Sequence, residues 1–239
     1  MARSWIIKDF MDLAARECSI TPPTTWSAAT DTNSVLIKSY LKDTVRELIE
    51  RGDWNQLNRD QVITGDDSTD YDLPTDFLRL ADDPNAVYEN SPNRAACIPV
   101  ITNTMWTALV EDGASGADRY YRIQGSEIEF FAAPPTDAEI TVSYISKNWK
   151  TSADGATPGS TWDADADLSL LPGELLQMGV VWRFKRHKRL YYADFKAEYD
   201  GMLSRAISND RPAGKISTDG PTRRRGPWDV PVPAYIPSS

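Results

Sequence analysis

Apolar residues recur at helical spacing towards both ends of the chain and alternate with polar ones across its middle. Ile6, Phe10 and Leu13, with Ile7, Met11 and Ala14 beside them, predict a helix from Ser4 to about Cys18. Pro22 and Pro23 mark Thr21 to Thr32 as a loop. Asn33 or Thr32 can cap a second helix, which runs to Arg51 on a stripe of Ile37, Leu41, Val45 or Thr44, and Leu48. Gly52 stops it, and Asp53-Trp54 is a connector. Pro172 opens a third helix, where its missing N–H costs nothing. Leu176, Val180, Phe184 and His187 fall on one face of that helix, and Lys185, Lys188 and Arg189 mostly on the opposite one. A break near Leu190 precedes a fourth helix carrying Tyr192, Phe195, Tyr199, Met202 or Leu203, and Ile207.

The period changes between these segments. Gln61 to Thr64, Phe77 to Leu80 and Ala86 to Tyr88 read as strands, with a polar turn at Asp66 to Asp70 and an extended Tyr71-Asp72-Leu73-Pro74. Thr102 to Glu111 reads as a short helix through Met105, Trp106, Leu109 and Val110. Tyr120 to Ile123 and Glu127 to Phe131 flank Gln124-Gly125-Ser126, a hairpin signal, and Ile140 to Ile145 alternates as a further strand. The fold expected is α+β: an antiparallel bundle of four main helices, an inserted small antiparallel β module and an extended C-terminal arm. The divisions are residues 1–58 and 168–209 for the two halves of the bundle and 59–150 for the β module. Residues 151–167 form an acidic, flexible loop, with Thr151 to Trp162 mobile, and 210–239 form the arm.

Composition narrows the partners. The 239 residues carry a net charge of −9, which argues against a general nucleic-acid binder. The charge is uneven: acids crowd Asp53 to Glu139, while bases crowd Arg183 to Arg189 and Arg223 to Arg225. Cys18 and Cys97 form no motif and read as reduced, buried residues. No apolar run is long enough to span a membrane, and the N-terminus does not read as a signal peptide, so synthesis in a cytoplasm is the simplest expectation.

Catalytic chemistry finds no constellation. Asp163, Asp165, Asp167 and Glu174 approach the spacing of an EF-hand loop, but Leu168 stands where that loop needs Gly; an acidic loop before a helix N-terminus accounts for them. His187 is the only histidine, sits on the apolar helix face and reads as a packed or interface residue. Carboxylates are plentiful, yet nothing singles out a pair for glycoside hydrolysis. No phosphate-binding or dinucleotide-binding glycine loop is present. No metal and no cofactor are expected. Arg183, Lys185, Arg186, Lys188 and Arg189 can contact DNA phosphates or an acidic partner, or form a solvated face. Trp228 lies in a Pro/Val-rich stretch of low ordering cost. It can anchor in a partner's groove, with Ile216, Val230, Val232, Tyr235 and Ile236 as further docking residues.

Gly52-Asp53-Trp54, the run Tyr71-Asp72-Leu73-Pro74-Thr75-Asp76-Phe77-Leu78, Leu171-Pro172-Gly173-Glu174-Leu175-Leu176 and Val181-Trp182-Arg183-Phe184-Lys185 stand in this order before a Tyr-rich fourth helix. In that order and spacing the chain resembles the head-to-tail adaptor (connector) proteins of tailed bacteriophages, of the portal-docking, tail-accessory or tubular type. The resemblance implies a virion structural protein at the neck. Its copies form a ring, twelvefold in the family, that binds the portal protein through the arm and meets the next tail or nozzle component. DNA passes through its channel on ejection. It implies no enzyme, although some relatives in short-tailed phages are linked to cell-wall hydrolysis; no such catalytic residues carry over. The rival readings are a DNA-binding or packaging accessory protein and a cell-wall hydrolase.

Overall fold

The computed structural model describes residues 5–83, 85–90, 95–112 and 119–210. The chain opens with strand β1 (Trp5–Ile6), helix α1 (Ile7–Glu17) and helix α2 (Thr32–Arg51). Strands β2 (Asn58–Thr64), β3 (Asp70–Asp72), β4 (Phe77–Leu80), β5 (Val87–Glu89), β6 (Ala95–Ala96) and β7 (Ile98–Pro99) follow. Helix α3 (Asn103–Asp112) precedes β8 (Tyr120–Gln124), β9 (Glu127–Phe130) and β10 (Glu139–Ser146). Then come β11 (Lys150–Thr151), β12 (Pro158–Gly159), β13 (Leu168–Ser169), α4 (Gly173–His187) and α5 (Ala193–Asp210).

The expected four-helix bundle with a small β module is therefore corrected. Five helices and thirteen strands in three sheets are found among the described residues, so the strands form an extensive three-sheet part of the fold and not a small insertion. One sheet has the order β1-β13-β11-β12 and sits against the helices. The second runs β2-β10-β5-β6, with β4 also on β10, and the third runs β3-β9-β8-β7. All pairings are antiparallel except β7 with β8. The period test missed the first sheet because its strands are two residues long and come from distant parts of the sequence. Two residues cannot display an alternation.

Two cores form. Ile7, Phe10, Met11, Ile37, Leu41, Leu48, Trp54, Leu176, Val180, Phe184, Tyr199 and Leu203 belong to the helical one. Ile63, Leu73, Val87, Cys97, Tyr121, Ile128, Phe130, Ile140 and Val142 make the β one. Strand β10 joins them: Ile140 and Val142 enter the β core, and Ile145, three residues on, enters the helical core. Arg79 of β4 strengthens this junction. It pairs with Asp53 at 2.5 Å and donates to the carbonyls of Ile49 and Gly52, groups that the end of α2 leaves without helical partners.

Helix α2 starts one residue before the expected caps. Asp31 is the N-cap, and its carboxylate accepts the N–H of Ser34 at 3.0 Å. Helix α4 packs closely on α2: a Cβ added at Gly179 would stand 2.2 Å from Cγ2 of Thr44. The two cysteines are free and lie one in each core, and burial pushes each thiol up to about 11. No helix among the described residues is long and apolar enough to cross a membrane.

Candidate functional site

Three surfaces carry chemistry: the corner between α4 and α5, the braced acidic segment, and a groove along α2. The corner joins the two helices through five residues, 188–192. The N–H of Leu190 bonds to the carbonyl of Lys185 at 2.9 Å, and that of Arg189 bonds to Arg186 at 3.1 Å. This closure needs a left-handed residue after the helix, and Arg189 supplies it at φ 57° in a place that usually falls to Gly. Arg186, His187, Lys188 and Arg189 are exposed there, together with Leu190 and Tyr191, the last 69% exposed. Nζ of Lys185 lies 3.8 Å from the ring centroid of Phe195. His187 is thus not on the packed face expected of it; α4 ends at this residue, and its ring neighbour is Tyr40 at 6.1 Å between centroids.

Arg183 is set apart from the other four cations. It is directed into the helical layer, paired with Glu47, donating to Thr44 Oγ1 and the Gly179 carbonyl at 3.0 Å each, and stacked 4.4 Å over Trp182. The Tyr199 hydroxyl donates to Glu47 at 3.2 Å, and burial, then the Glu47 charge, raises its pKa. One Glu47–Arg183–Tyr199 node therefore ties α2, α4 and α5 together.

The acidic segment is largely exposed but is braced against the fold at Trp162, Asp163, Asp165 and Asp167. Asp167 is buried and accepts from Lys150 Nζ at 2.8 Å and from the N–H groups of Asp163 and Ala164 at 3.2 and 3.1 Å. Burial alone would raise the Asp167 pKa, but the Lys150 contact and those N–H groups outweigh it and hold the carboxyl below its ordinary value. For Lys150, burial acts downwards, and the two carboxylates reverse it to leave the ammonium above its ordinary value. Asp165 accepts the N–H groups of Trp26 and Ser27 at 3.0 and 2.9 Å. Trp162 packs on Trp26, and Trp149 donates to the Ser160 carbonyl at 2.8 Å. Of the aspartates that resembled calcium ligands, Asp163 and Asp167 thus share Lys150 while Asp165 holds backbone N–H groups, and among the described residues no three His, Cys, Asp or Glu side chains gather where a metal could bind.

The groove was not visible in the sequence. Leu41, Val45 and Ile49 of α2, with Trp149, form an apolar floor to a cavity of about 900 Å³. Its rim carries four bases, Lys38, Lys42, Arg46 and Lys147, against two acids, Glu50 and Asp163. Val35 and Leu78 on its lining are 48% and 44% exposed, unusual for such side chains beside a floor this well buried. The one signal available was three tryptophans, Trp26, Trp149 and Trp162, in irregular segments, which such segments hold only by packing. The expected docking residues Ile216, Trp228, Val230, Val232, Tyr235 and Ile236 lie outside the described residues.

At the far side, the β sheets expose Asp60, Asp66, Asp67, Asp70, Asp72, Asp82 and Asp83. They lie beyond the C-terminal end of α2, whereas the basic corner lies at the C-terminal end of α4, which runs antiparallel to α2. No curated protein matches the chain. The family model described as SU10 adaptor protein matches residues 4–228. The chain belongs to the SU10 adaptor protein family, among bacteriophage structural adaptors, in agreement with the resemblance of its motifs.

Proposed function

We propose that this member of the SU10 adaptor protein family is a neck component of the portal-docking type, a ring of about twelve copies that joins the portal to the next tail or nozzle component and lets DNA pass. The observation that carries this reading is the separation of the exposed basic corner from the exposed aspartates of the β sheets. The basic corner and the acidic β face are separated by the length of α5, whose 18 residues span about 27 Å. A connector needs two unlike ends for two unlike neighbours, and this chain has them. The acidic β face is suited to the tail side or to the channel, where it repels the DNA backbone and keeps it from sticking. The corner and the arm are suited to the portal. The arm residues Ile216, Trp228, Val230, Val232, Tyr235 and Ile236 supply the apolar anchors.

Lys185, Arg186, Lys188 and Arg189 are the contact residues in this reading. Arg183 is committed to Glu47 and serves the fold. These four cations also support a second reading, contact with DNA phosphates. The net charge of −9 favours an acidic protein partner over DNA for them. The reading assigns no catalytic residue and no cofactor.

Mixing the purified protein with portal rings tests the proposal. The protein alone should sediment as a monomer and should add to the portal as a closed ring. A stable dimer that portal leaves unchanged would refute it. A salt-dependent shift of duplex DNA, lost on reversing Arg186 and Lys188, would favour the packaging accessory instead.

A further inference from the structure

We propose that the α2 groove is a docking site for the distal part of this chain's own arm, residues 226–239. Three observations select this occupant. The first is where the described chain ends. Asp210 closes α5 beside the C-terminal end of α2, its carboxylate accepting the N–H of Asn55 at 2.8 Å and its carbonyl accepting from the Asn55 amide at 2.5 Å. The arm therefore departs at the Ile49 and Leu78 end of the groove. From Asp210 to Trp228 the chain can span up to about 60 Å when extended, so the groove is within reach.

The second is length. Val35 to Ile49 along α2 is about 21 Å at the helical rise. Trp228 to Tyr235 in the polyproline conformation favoured by Pro231 and Pro233 is about 22 Å. With three residues per turn, Trp228, Pro231 and Ala234 share one face and would lie on the floor of Leu41, Val45, Ile49 and Trp149, while Asp229, Val232 and Tyr235 share the next face, towards the lip.

The third is charge. The proximal arm carries Arg211, Lys215, Arg223, Arg224 and Arg225 against one acid, Asp219, and a rim with four bases against the acids Glu50 and Asp163 would disfavour it. The distal segment carries Asp229 and no base. On the rim, Lys38 is held by the carbonyls of Trp26 and Ala29, and Arg46 by Asp43. Lys42 and Lys147 remain to meet Asp229.

This site goes beyond the role of the arm at the portal and does not depend on it. Together the two describe an arm that is stored on its own subunit and released to a partner.

Disulfide trapping in the full chain tests the site. Ser39→Cys on the groove lip is combined with Val232→Cys, and a control combines Ala197→Cys, exposed on α5, with the same arm substitution. The groove pair should close at least tenfold faster than the control, within one chain, at a rate independent of protein concentration. Lys42→Glu with Lys147→Glu should slow closure at least fivefold, while the circular dichroism is unchanged. Equal rates for the two pairs, or insensitivity to the rim charges, would overturn the proposal, and a linked dimer as the main product would overturn its same-chain form. Co-sedimentation of the reduced protein with portal rings is read separately, so failure of the groove and failure of portal docking are distinguishable.

Discussion

Replacing Lys150 with Met removes the cation from the brace and tests whether residues 151–167 are structural. Lys150 is 7% and Asp167 4% exposed, so the variant leaves a buried carboxylate with two N–H donors and no counter-charge. Breaking a buried pair from one side costs about 3–5 kcal/mol. The two remaining donors place this case near the lower end, at about 3 kcal/mol, or a melting temperature lower by about 6–12 °C for a chain of this size. The sign of the pH dependence follows from the two shifts. The folded Asp167 pKa is lowered, so its contribution is fully present above the unfolded value of about 3.9 and is lost as pH falls through the folded value. The folded Lys150 pKa is raised, so its contribution is fully present below about 10.4 and is lost as pH rises through the folded value. Between these limits the wild-type pair is constant. In Lys150→Met nothing holds the Asp167 pKa down except the two N–H groups, and protonation relieves the buried charge. The deficit should therefore shrink as pH falls from 7 towards 4.5. Asp167→Asn in the same background should recover at least half of it at pH 7. Denaturant unfolding at both pH values measures this. A loss below 1 kcal/mol, or the same loss at both pH values, would refute the brace.

Arg189→Gly should stabilise the fold by about 1 kcal/mol, because it removes the strain of a left-handed non-glycine residue; unchanged unfolding would count against the corner geometry. Gly179→Ala should cost at least about 1–3 kcal/mol through the clash with Thr44, and Thr44→Ala should recover part of it in the double variant, measured by the same unfolding. Calcium at micromolar concentration should leave the melting temperature unchanged, since Asp163 and Asp167 already share the Lys150 ammonium and Asp165 is engaged by the Trp26 N–H. Trp228→Ala should weaken portal attachment by about 2 kcal/mol or more in co-sedimentation, with the circular dichroism unaltered.

Long periodic elements were legible because their burial repeats. The stripe of Ile37, Leu41, Thr44, Val45 and Leu48 is buried as its spacing predicts, and Gly125 turns the β8–β9 hairpin at φ 65°. The cap of α2 was misread by one residue because Asp31, Thr32 and Asn33 are all capable of capping. Strand β2 begins at Asn58, three residues before the expected Gln61, since pairing with β10 holds polar residues that no alternation marks. The first sheet and the brace were hidden for a different reason. Trp5, Lys150, Pro158 and Ser169 belong to strands that pair across long stretches of sequence, and a polar, Gly-rich segment with aspartates reads as solvated loop until its partners are known. His187 followed the helical period but fell on the last residue of α4, where it is exposed beside Tyr40. The α2 groove depends on the brace and was hidden with it.

Electron microscopy of the full chain mixed with portal rings tests the central claim most directly. The account predicts one closed ring of this protein seated on each portal, with density from its C-terminal arm on portal subunits and the acidic β face pointing away from the portal. Portal rings that remain bare at saturating protein, or a ring seated with its acidic face on the portal, would contradict it.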